Sequence, residues 1–244
     1  MREWVREVKP GSNVIIEYQP LVALGESARA LYSVHAKLRD QRAPLGGVGR
    51  AEYLRIAQEI DAMVMIDRMT VFNALAELEK ERARGRAARL MLHIVYATLE
   101  GSARQWLEAV LRRRVALVDA IIIELDCAAI QHDAHAKVRL ARLHALGVRI
   151  CVADTSGSFY HLRTWCTLPI DMLLVTHAVL ETKSNDALCA SLQRWRALGR
   201  QVAVDAVEDA SAVARLLECG VDYARGDALA AHGLRLDYDA DRAG

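Results

Sequence analysis

Asp154 is the residue whose neighbours best equip it for chemistry. It follows a short apolar run, Ile150-Cys151-Val152-Ala153, preceded by Gly147. A second apolar run, residues 172–175, comes after Leu168-Pro169-Ile170-Asp171, and residues 158–167 between them can form a short helix. Such a strand–helix–strand unit puts Asp154 just past the C-terminal end of its strand, where parallel α/β folds build their sites. Other groupings are weaker. Ser33 and His35 are two apart and share a strand face, but no acid accompanies them to complete a hydrolase arrangement. His132 and His135 lie three apart on an expected helix, without an acidic or thiol partner at ligand spacing, so they read as structural or solvent-facing. Cys127 and Cys151 lack a neighbouring base and read as small buried apolar groups.

Composition narrows the classes. A chain of 244 residues that is 53% hydrophobic can bury one large core. Lys+Arg 32 against Asp+Glu 31 leaves a formal charge of +1, so no global field favours nucleic acid or an anionic membrane. Arg112-Arg113-Arg114 reads as a solvated helix end. No run approaches the roughly 18 apolar residues of a spanning helix, and no secretory pattern opens the sequence. The expectation is a soluble, cytoplasmic protein with neither nucleic-acid nor membrane partners. The five cysteines (Cys127, Cys151, Cys166, Cys189 and Cys219) are odd in number and lack CxxC spacing. Free thiols are expected, not disulfides or a zinc site.

The elements that must position these residues alternate. Residues 14–24 are strand-like, with Pro20 placing them at an edge or strand end. Residues 25–27 turn the chain, and 30–38 return as a second strand. Residues 41–49, with Pro44, Gly46, Gly47 and Gly49, form a loop without the GxxxxGK[ST] or GxGxxG context of a phosphate cradle. Helices are expected over 52–59 and 62–84, the second burying Val71, Leu75 and Leu78 and stopping at Gly85. Met63, Met65 and Met69 there are core or an oligomer surface. Strands then follow at 89–95, 120–125, around Ile150 and Val152, 172–175, 201–207 and 223–228. The helices between them cover 102–114 and 132–146, then one with Leu188, Leu192, Trp195 and Leu198 on a face, then one with Val213, Leu216 and Leu217. Trp165 and Trp195 read as core, and Asp171 as a turn or cap residue. Near-continuous isoleucine at 120–125 signals a parallel strand buried on both faces. Alternation demands parallel pairing with right-handed crossovers, and a count near eight favours a closed TIM-like (β/α)8 barrel. One domain is expected over 1–244, with a core of about 14–234 and a frayed tail at 237–244.

Several fragments carry a resemblance. Tyr18-Gln19-Pro20-Leu21-Val22 resembles the YQPIV that opens EAL domains, and Ile122-Ile123-Glu124-Leu125 resembles their LEIT segment. Leu146-Gly147-Val148-Arg149-Ile150 leads to the place of DDFG, and Leu168-Pro169-Ile170-Asp171-Met172-Leu173 is similar to LPVDVL. Val207-Glu208-Asp209 is similar to the end of AEGVET, and Cys219-Gly220-Val221-Asp222-Tyr223-Ala224-Arg225-Gly226 to GCDYAQG, with Arg225 for the glutamine. These stand in the right order over residues 18–226.

Active EAL domains open cyclic di-GMP with two divalent metals, which need a ring of carboxylate or amide oxygens and generate the attacking hydroxide. The resemblance implies that this ring is dismantled here. Ser33 stands for the name-giving glutamate, Val95 for the asparagine, and Ala153-Asp154 for the paired aspartates. Leu174 replaces the catalytic lysine, Thr176 the aspartate beyond it, Cys127 the second glutamate of LEITE, and Asp205 the glutamate of AEGVE. Glu124 is kept. Glu124, Asp154 and Asp205 suffice for one weakly held magnesium, not for a two-metal clamp. The expectation is no catalytic residue, no cofactor and no hydrolysis.

What remains resembles the silent EAL domain of FimX-type proteins, which binds cyclic di-GMP and signals to a partner such as a PilZ-domain protein controlling type IV pili. Tyr32-Ser33-Val34-His35-Ala36-Lys37-Leu38 is closer to FimX-type EVFVRL than to EALLRW. The ligand-binding residues so implied are Gln19, Ser33, Lys37, Asp154, Asp205, Glu208 and Arg225. Gln19 and Glu208 would meet guanine edges. Lys37 stands for a phosphate-contacting arginine, although an ammonium cannot form arginine's fork. Arg225 would lie near the same anion or be an exposed structural arginine. The alternative is a protein-interaction scaffold that has lost the ligand, in keeping with Ser156-Gly157-Ser158 in place of FGTG. EAL domains commonly pair, so a homodimer is the oligomer the resemblance implies.

Overall fold

The computed structural model of the chain describes residues 14–25, 30–39, 47–59, 62–154, 165–178 and 185–237. β1 (Val14–Ala23) and β2 (Leu31–Arg39) form an antiparallel hairpin in which Gln19 faces Ser33 and Leu21 faces Leu31. The two-residue β3 (Gly47–Val48) pairs with the end of β2 and leads into α1 (Arg50–Glu59) and α2 (Met63–Ala83). β4 (Arg89–His93), α3 (Gly101–Arg113), β5 (Ile121–Asp126), α4 (Cys127–Gln131), α5 (Ala136–Ala145) and β6 (Arg149–Asp154) follow. β7 (Met172–Thr176), α6 (Asn185–Arg196), β8 (Gln201–Asp205), α7 (Ala212–Glu218) and β9 (Tyr223–Ala224) complete the order. The sheet runs β1-β9-β8-β7-β6-β5-β4-β2 with β3 outside, and the β1–β2 pairing closes it into an eight-stranded barrel. The expected TIM-like (β/α)8 barrel is therefore present. Uniform parallel pairing is not: β1 runs antiparallel to both β2 and β9. Residues 24–30 are too few for the crossover that parallel neighbours need.

Strand alternation sorts the side chains into two cores. Ile121, Ile123 and Leu125 of β5 point outward, against Leu107, Leu111, Leu140 and Leu143 of the helices. Ile122 points inward with Leu31, Met91, Cys151, Met172, Ala203 and Tyr223. A strand buried on both sides needs apolar residues at every position, and the isoleucine run meets that need. Trp165 and Trp195 are core residues, and Trp195 Nε1 donates to Gln201 O at 3.0 Å. Met63, Met69 and Ile66 pack with Tyr53 and Leu38 in a second cluster, with Met65 against it, so the methionines are core. Asp171 clamps the start of β6: its Oδ2 accepts from Ile150 N at 2.8 Å and its N–H donates to Ile150 O. Asp222 does the same for Val202 of β8.

Several expectations need correction. The helix expected over 132–146 begins at Ala136, and His132 and His135 flank a turn instead of sharing a helical face. Leu198 and Leu217 are 51% and 48% exposed, because α6 ends at Arg196 and α7 has only Leu216 fully buried. The last strand is two residues long, not 223–228. Residues 158–164 of the helix expected at 158–167, the Ser156-Gly157-Ser158 turn, the Leu188 side chain and most of the tail lie outside the described residues; Trp165 is helical and residues 166–167 are a turn. Cys189 and Cys219 form a disulfide, with Cα atoms 4.5 Å apart, so not all thiols are free. The sequence separation of 30 hid a proximity created when α6 and the end of α7 come together. Alkylating the denatured protein should block three cysteines (Cys127, Cys151 and Cys166), and two more only after reduction, as read by intact mass.

Asp67 of α2 is buried and accepts from Val95 N at 2.8 Å and Thr98 Oγ1 at 2.7 Å. Burial outweighs these bonds and Arg50, and raises its pKa from 3.8 to about 6. A carboxyl raised on folding contributes stability that is complete below its unfolded pKa and lost as pH rises through the folded one. Asp67→Asn should therefore remove about 3 kcal/mol of stability loss between pH 4 and pH 6, seen as a flatter pH dependence of the urea midpoint than in wild type. Equal slopes for the two proteins would exclude this role.

Candidate functional site

One rule places the polar cluster. Each member lies two residues beyond a side chain of the inner core, toward the C-terminal ends of the parallel strands: Leu31 to Ser33, Met91 to His93, Ile122 to Glu124, Ala203 to Asp205, Tyr223 to Arg225. In the reversed β1 the step runs the other way, from Leu21 back to Gln19. The inner core thus forms an apolar floor, and the next layer up carries these polar groups, with Ala153 and Leu174 of β6 and β7 filling it on the remaining side.

Arg225 is the centre of that layer and is 5% exposed. Its Nε and Nη2 form a fork on Asp205, at 2.7 Å to Oδ1 and 2.8 Å to Oδ2. Nη1 donates to Ser33 Oγ at 2.5 Å and to Glu124 Oε2 at 3.3 Å. Burial disfavours the guanidinium charge, but Glu124 and Asp205 outweigh it and raise the Arg225 pKa above its ordinary value. Burial likewise opposes ionisation of Asp205, and the Arg225 hydrogen bonds and charge still hold it below the usual carboxylate range. Bidentate arginine–carboxylate pairs are among the strongest polar contacts a protein makes.

The backbone delivers this arginine. Arg225 N donates to Val204 O at 2.8 Å, and Val207 N donates to Arg225 O at 3.1 Å, so pairing continues past β9. Ala206 adopts φ 55°, a left-handed conformation that turns the chain after Asp205. Gly226 passes so close to that turn that a Cβ would lie 2.1 Å from Val207 O. Only glycine fits there.

A rim lies above the charged layer. Lys37 Nζ is 2.8 Å from Glu17 Oε2, and His232 is 3.7 Å from both Glu17 and Asp227. Gln19 Nε2 donates to Asp227 Oδ1 at 3.1 Å and to Ala230 O at 3.3 Å. His35 meets the His232 ring edge-on at 4.6 Å, and burial, followed by the Arg225 and His232 charges, lowers its pKa to about 3, so it is neutral. It makes no dyad with Ser33, whose hydroxyl accepts from Arg225. His93 lies 3.5 Å from Glu124 and 3.4 Å from Asp126, and its hydrogen bond holds the Asp126 carboxyl low. A cavity of about 30 Å³ lined by Ser33, His35, Arg50, His93, Glu124 and Arg225 has room for a water or two.

Of the seven residues singled out from sequence, Ser33, Asp205 and Arg225 meet in one cluster, and Gln19 and Lys37 stand on its rim. Asp154 does not join them. Ala153 takes the inward position, and Asp154 lies buried on the outer face with Cys127 Sγ 3.8 Å from its Oδ1. Burial, then the Asp154 charge, pushes that thiol up to about 11, so Cys127 is no nucleophile. Glu208 is exposed beyond the Ala206 turn. Arg225 is neither an exposed structural arginine nor free to meet an anion, because most of its donors are taken. Glu17, His93, Asp227 and His232 were not anticipated. For Glu17 and His93, two-residue spacing from Gln19 and Met91 was the available signal.

A closed α/β barrel with a reversed first strand and a polar cluster at the C-terminal ends of its parallel strands defines a class of barrels whose sites open on that face. The family model of the EAL domain matches residues 2–232, and the chain belongs to the EAL domain family. A crystal structure of a FimX EAL domain has a TM-score of 0.87 at 20% identity, covering 98% of each chain. The Xanthomonas citri FimX EAL domain in complex with c-diGMP has a TM-score of 0.86 at 18% identity, covering 97% of this chain and 94% of that one. The Pseudomonas aeruginosa FimX EAL domain bound to c-di-GMP has a TM-score of 0.82 at 19% identity over 93% and 94%. A 76.5 kDa protein of Thiocystis violacea is 24% identical over 92% of this chain, which spans 32% of that protein's length.

The two metals of active family members do not fit the residues present. Ala153 and Leu174 belong to the apolar inner core, and Val95 packs against the second cluster. Glu124 and Asp205 are already engaged by Arg225. Among the described residues no group of three His, Cys, Asp or Glu side chains could hold a metal ion.

Proposed function

We propose that this chain is a catalytically silent EAL domain that acts as a metal-independent cyclic di-GMP receptor and reports ligand occupancy to a protein partner. The observation that carries the reading is the Arg225 fork on Asp205 beside Glu124: the carboxylates that would gather cations already hold one. The FimX EAL domains with cyclic di-GMP bound share this barrel, which supports nucleotide binding here. Gln19 would offer its amide to a guanine edge, with Glu208 accepting from a guanine. Lys37, one-third exposed on the rim, would exchange Glu17 for a phosphate. Ser33, Asp205 and Arg225 would form the pocket floor, with Asp154 supporting it from the outer face. A PilZ-domain protein of the type IV pilus kind, or a second copy of the chain, is the proposed recipient of the signal. The whole chain would act as one domain in the cytoplasm, where a nucleotide messenger is made. None of its described helices is long and apolar enough to cross a membrane.

A second reading has its own observation. Lys37 is tied to Glu17 and Gln19 to Asp227, so both ligand contacts would have to exchange partners, which favours a scaffold without nucleotide. Calorimetry with cyclic di-GMP, with and without magnesium, separates the two. The receptor predicts micromolar or tighter binding that magnesium does not change and that Lys37→Ala weakens about tenfold, the worth of one charged hydrogen bond. No heat at high nucleotide concentration would leave the scaffold.

A further inference from the structure

We infer that Arg225 is a tethered cation: it stands among the acidic groups that bind divalent metal in active members of the family and makes this barrel independent of metal. The inference rests on the silent-domain reading above and is independent of nucleotide binding. Three features carry it. The guanidinium makes four contacts at 3.3 Å or less, and two different strands supply the carboxylates it joins, Glu124 from β5 and Asp205 from β8. It is buried, and the backbone bonds to Val204 and Val207 hold its main chain where the side chain reaches both carboxylates. It is also the cation that touches both carboxylates, whereas Arg50, on the wall of the same cavity, faces Asp67 at 4.0 Å. A buried carboxylate such as Glu124, with the part-buried Asp205 on the other side of the same guanidinium, is costly unless a cation joins them. An ion does that in exchange with solvent, whereas an arginine does it permanently. A divalent ion could enter only by meeting the guanidinium charge at close range.

The consequence is reciprocal. With Arg225 present, manganese should not bind at this layer. With a neutral residue in its place, the two uncovered carboxylates, Glu124 and Asp205, should hold a divalent ion between them, completed by water, on which the fold depends. The test compares wild type with Arg225→Gln and Arg225→Lys, using electron paramagnetic resonance of free manganese and thermal midpoints with and without the metal. Wild type and Arg225→Lys should leave the manganese signal and the midpoint unchanged. Arg225→Gln should have a lower midpoint that manganese raises, with one ion bound per chain. If Arg225→Gln does not fold in metal-free buffer, refolding with manganese is the readout: recovery supports the inference and failure to recover overturns it. Manganese bound by wild type and lost in Glu124→Gln would also overturn it. A wild-type protein that ignores cyclic di-GMP would sink the receptor reading and leave the manganese result standing.

Discussion

Gly226→Ala should yield little or no folded protein. The added Cβ would lie 2.1 Å from Val207 O, 2.5 Å from Val207 N and 2.7 Å from Val207 C, where carbon–oxygen contacts ordinarily begin near 3.3 Å. The obstacle is backbone, so no rotamer change relieves it. Relief requires parting β8 from the segment after β9. That breaks the Val204–Arg225 and Arg225–Val207 hydrogen bonds and those that Leu229 N and Ala230 N donate to Gly226 O. It also draws the guanidinium off Asp205 and Glu124, leaving the buried Glu124 and the part-buried Asp205 without a cation. The cost should exceed about 4 kcal/mol, against a total stability of about 5–15 kcal/mol. Gly49→Ala, where an added Cβ meets nothing within 4 Å, is the control and should stay within about 0.5 kcal/mol of wild type. Similar urea midpoints for the two variants would mean that the junction is not the tight closure described.

The barrel was legible because its repeating physics is local. Isoleucine at every position of β5 announces burial on both faces, and Gly85 after a long amphipathic run announces the end of α2. What escaped depends on contacts distant in sequence. The reversal of β1 follows from how short the connection to β2 is, a fact in plain view that the alternation argument overrode. Leu198 was assigned to a buried face by helical spacing, but α6 stops two residues earlier and the spacing no longer applies. Cys189 and Cys219 carry no motif, and only the meeting of α6 with α7 pairs them.

The site was half legible for a related reason. The composition of the cluster was readable, since Ser33, Glu124, Asp205 and Arg225 each stood out. Its geometry was not, because Ser33 and Arg225 are 192 residues apart and their contact is a property of barrel closure. Asp154 is the instructive case. Period-two alternation from Cys151 places Ala153 inward and Asp154 outward, so the strand's own arithmetic separates it from the cluster. Adjacency to a strand end is not the same as facing the site. His93, two residues beyond Met91, could have been found by the same counting.

Cyclic di-GMP incubated with pure protein and saturating magnesium or manganese should yield no linear pGpG, and the Arg225→Gln variant should yield none either, even with a manganese ion bound. Metal binding and catalysis separate here because they need different residues. Hydrolysis by two metals requires ligands on both sides of the pair and a group to steer the hydroxide. The positions that would supply them, Ala153 and Leu174, are buried in the apolar inner core. Removing a single stabilising group from a hydrolytic site costs about 10²–10³ in rate. Several are missing at once, and although such losses do not multiply fully, turnover should fall at least about 10⁴-fold below that of an intact site. Adding Ala153→Asp and Leu174→Lys to Arg225→Gln tests which absence dominates: if the missing ligand and lysine set the rate, only the triple variant should produce pGpG on a chromatogram. Wild-type protein that releases pGpG at a metal-dependent rate would show that Arg225 can be displaced by the very ions it is held to replace.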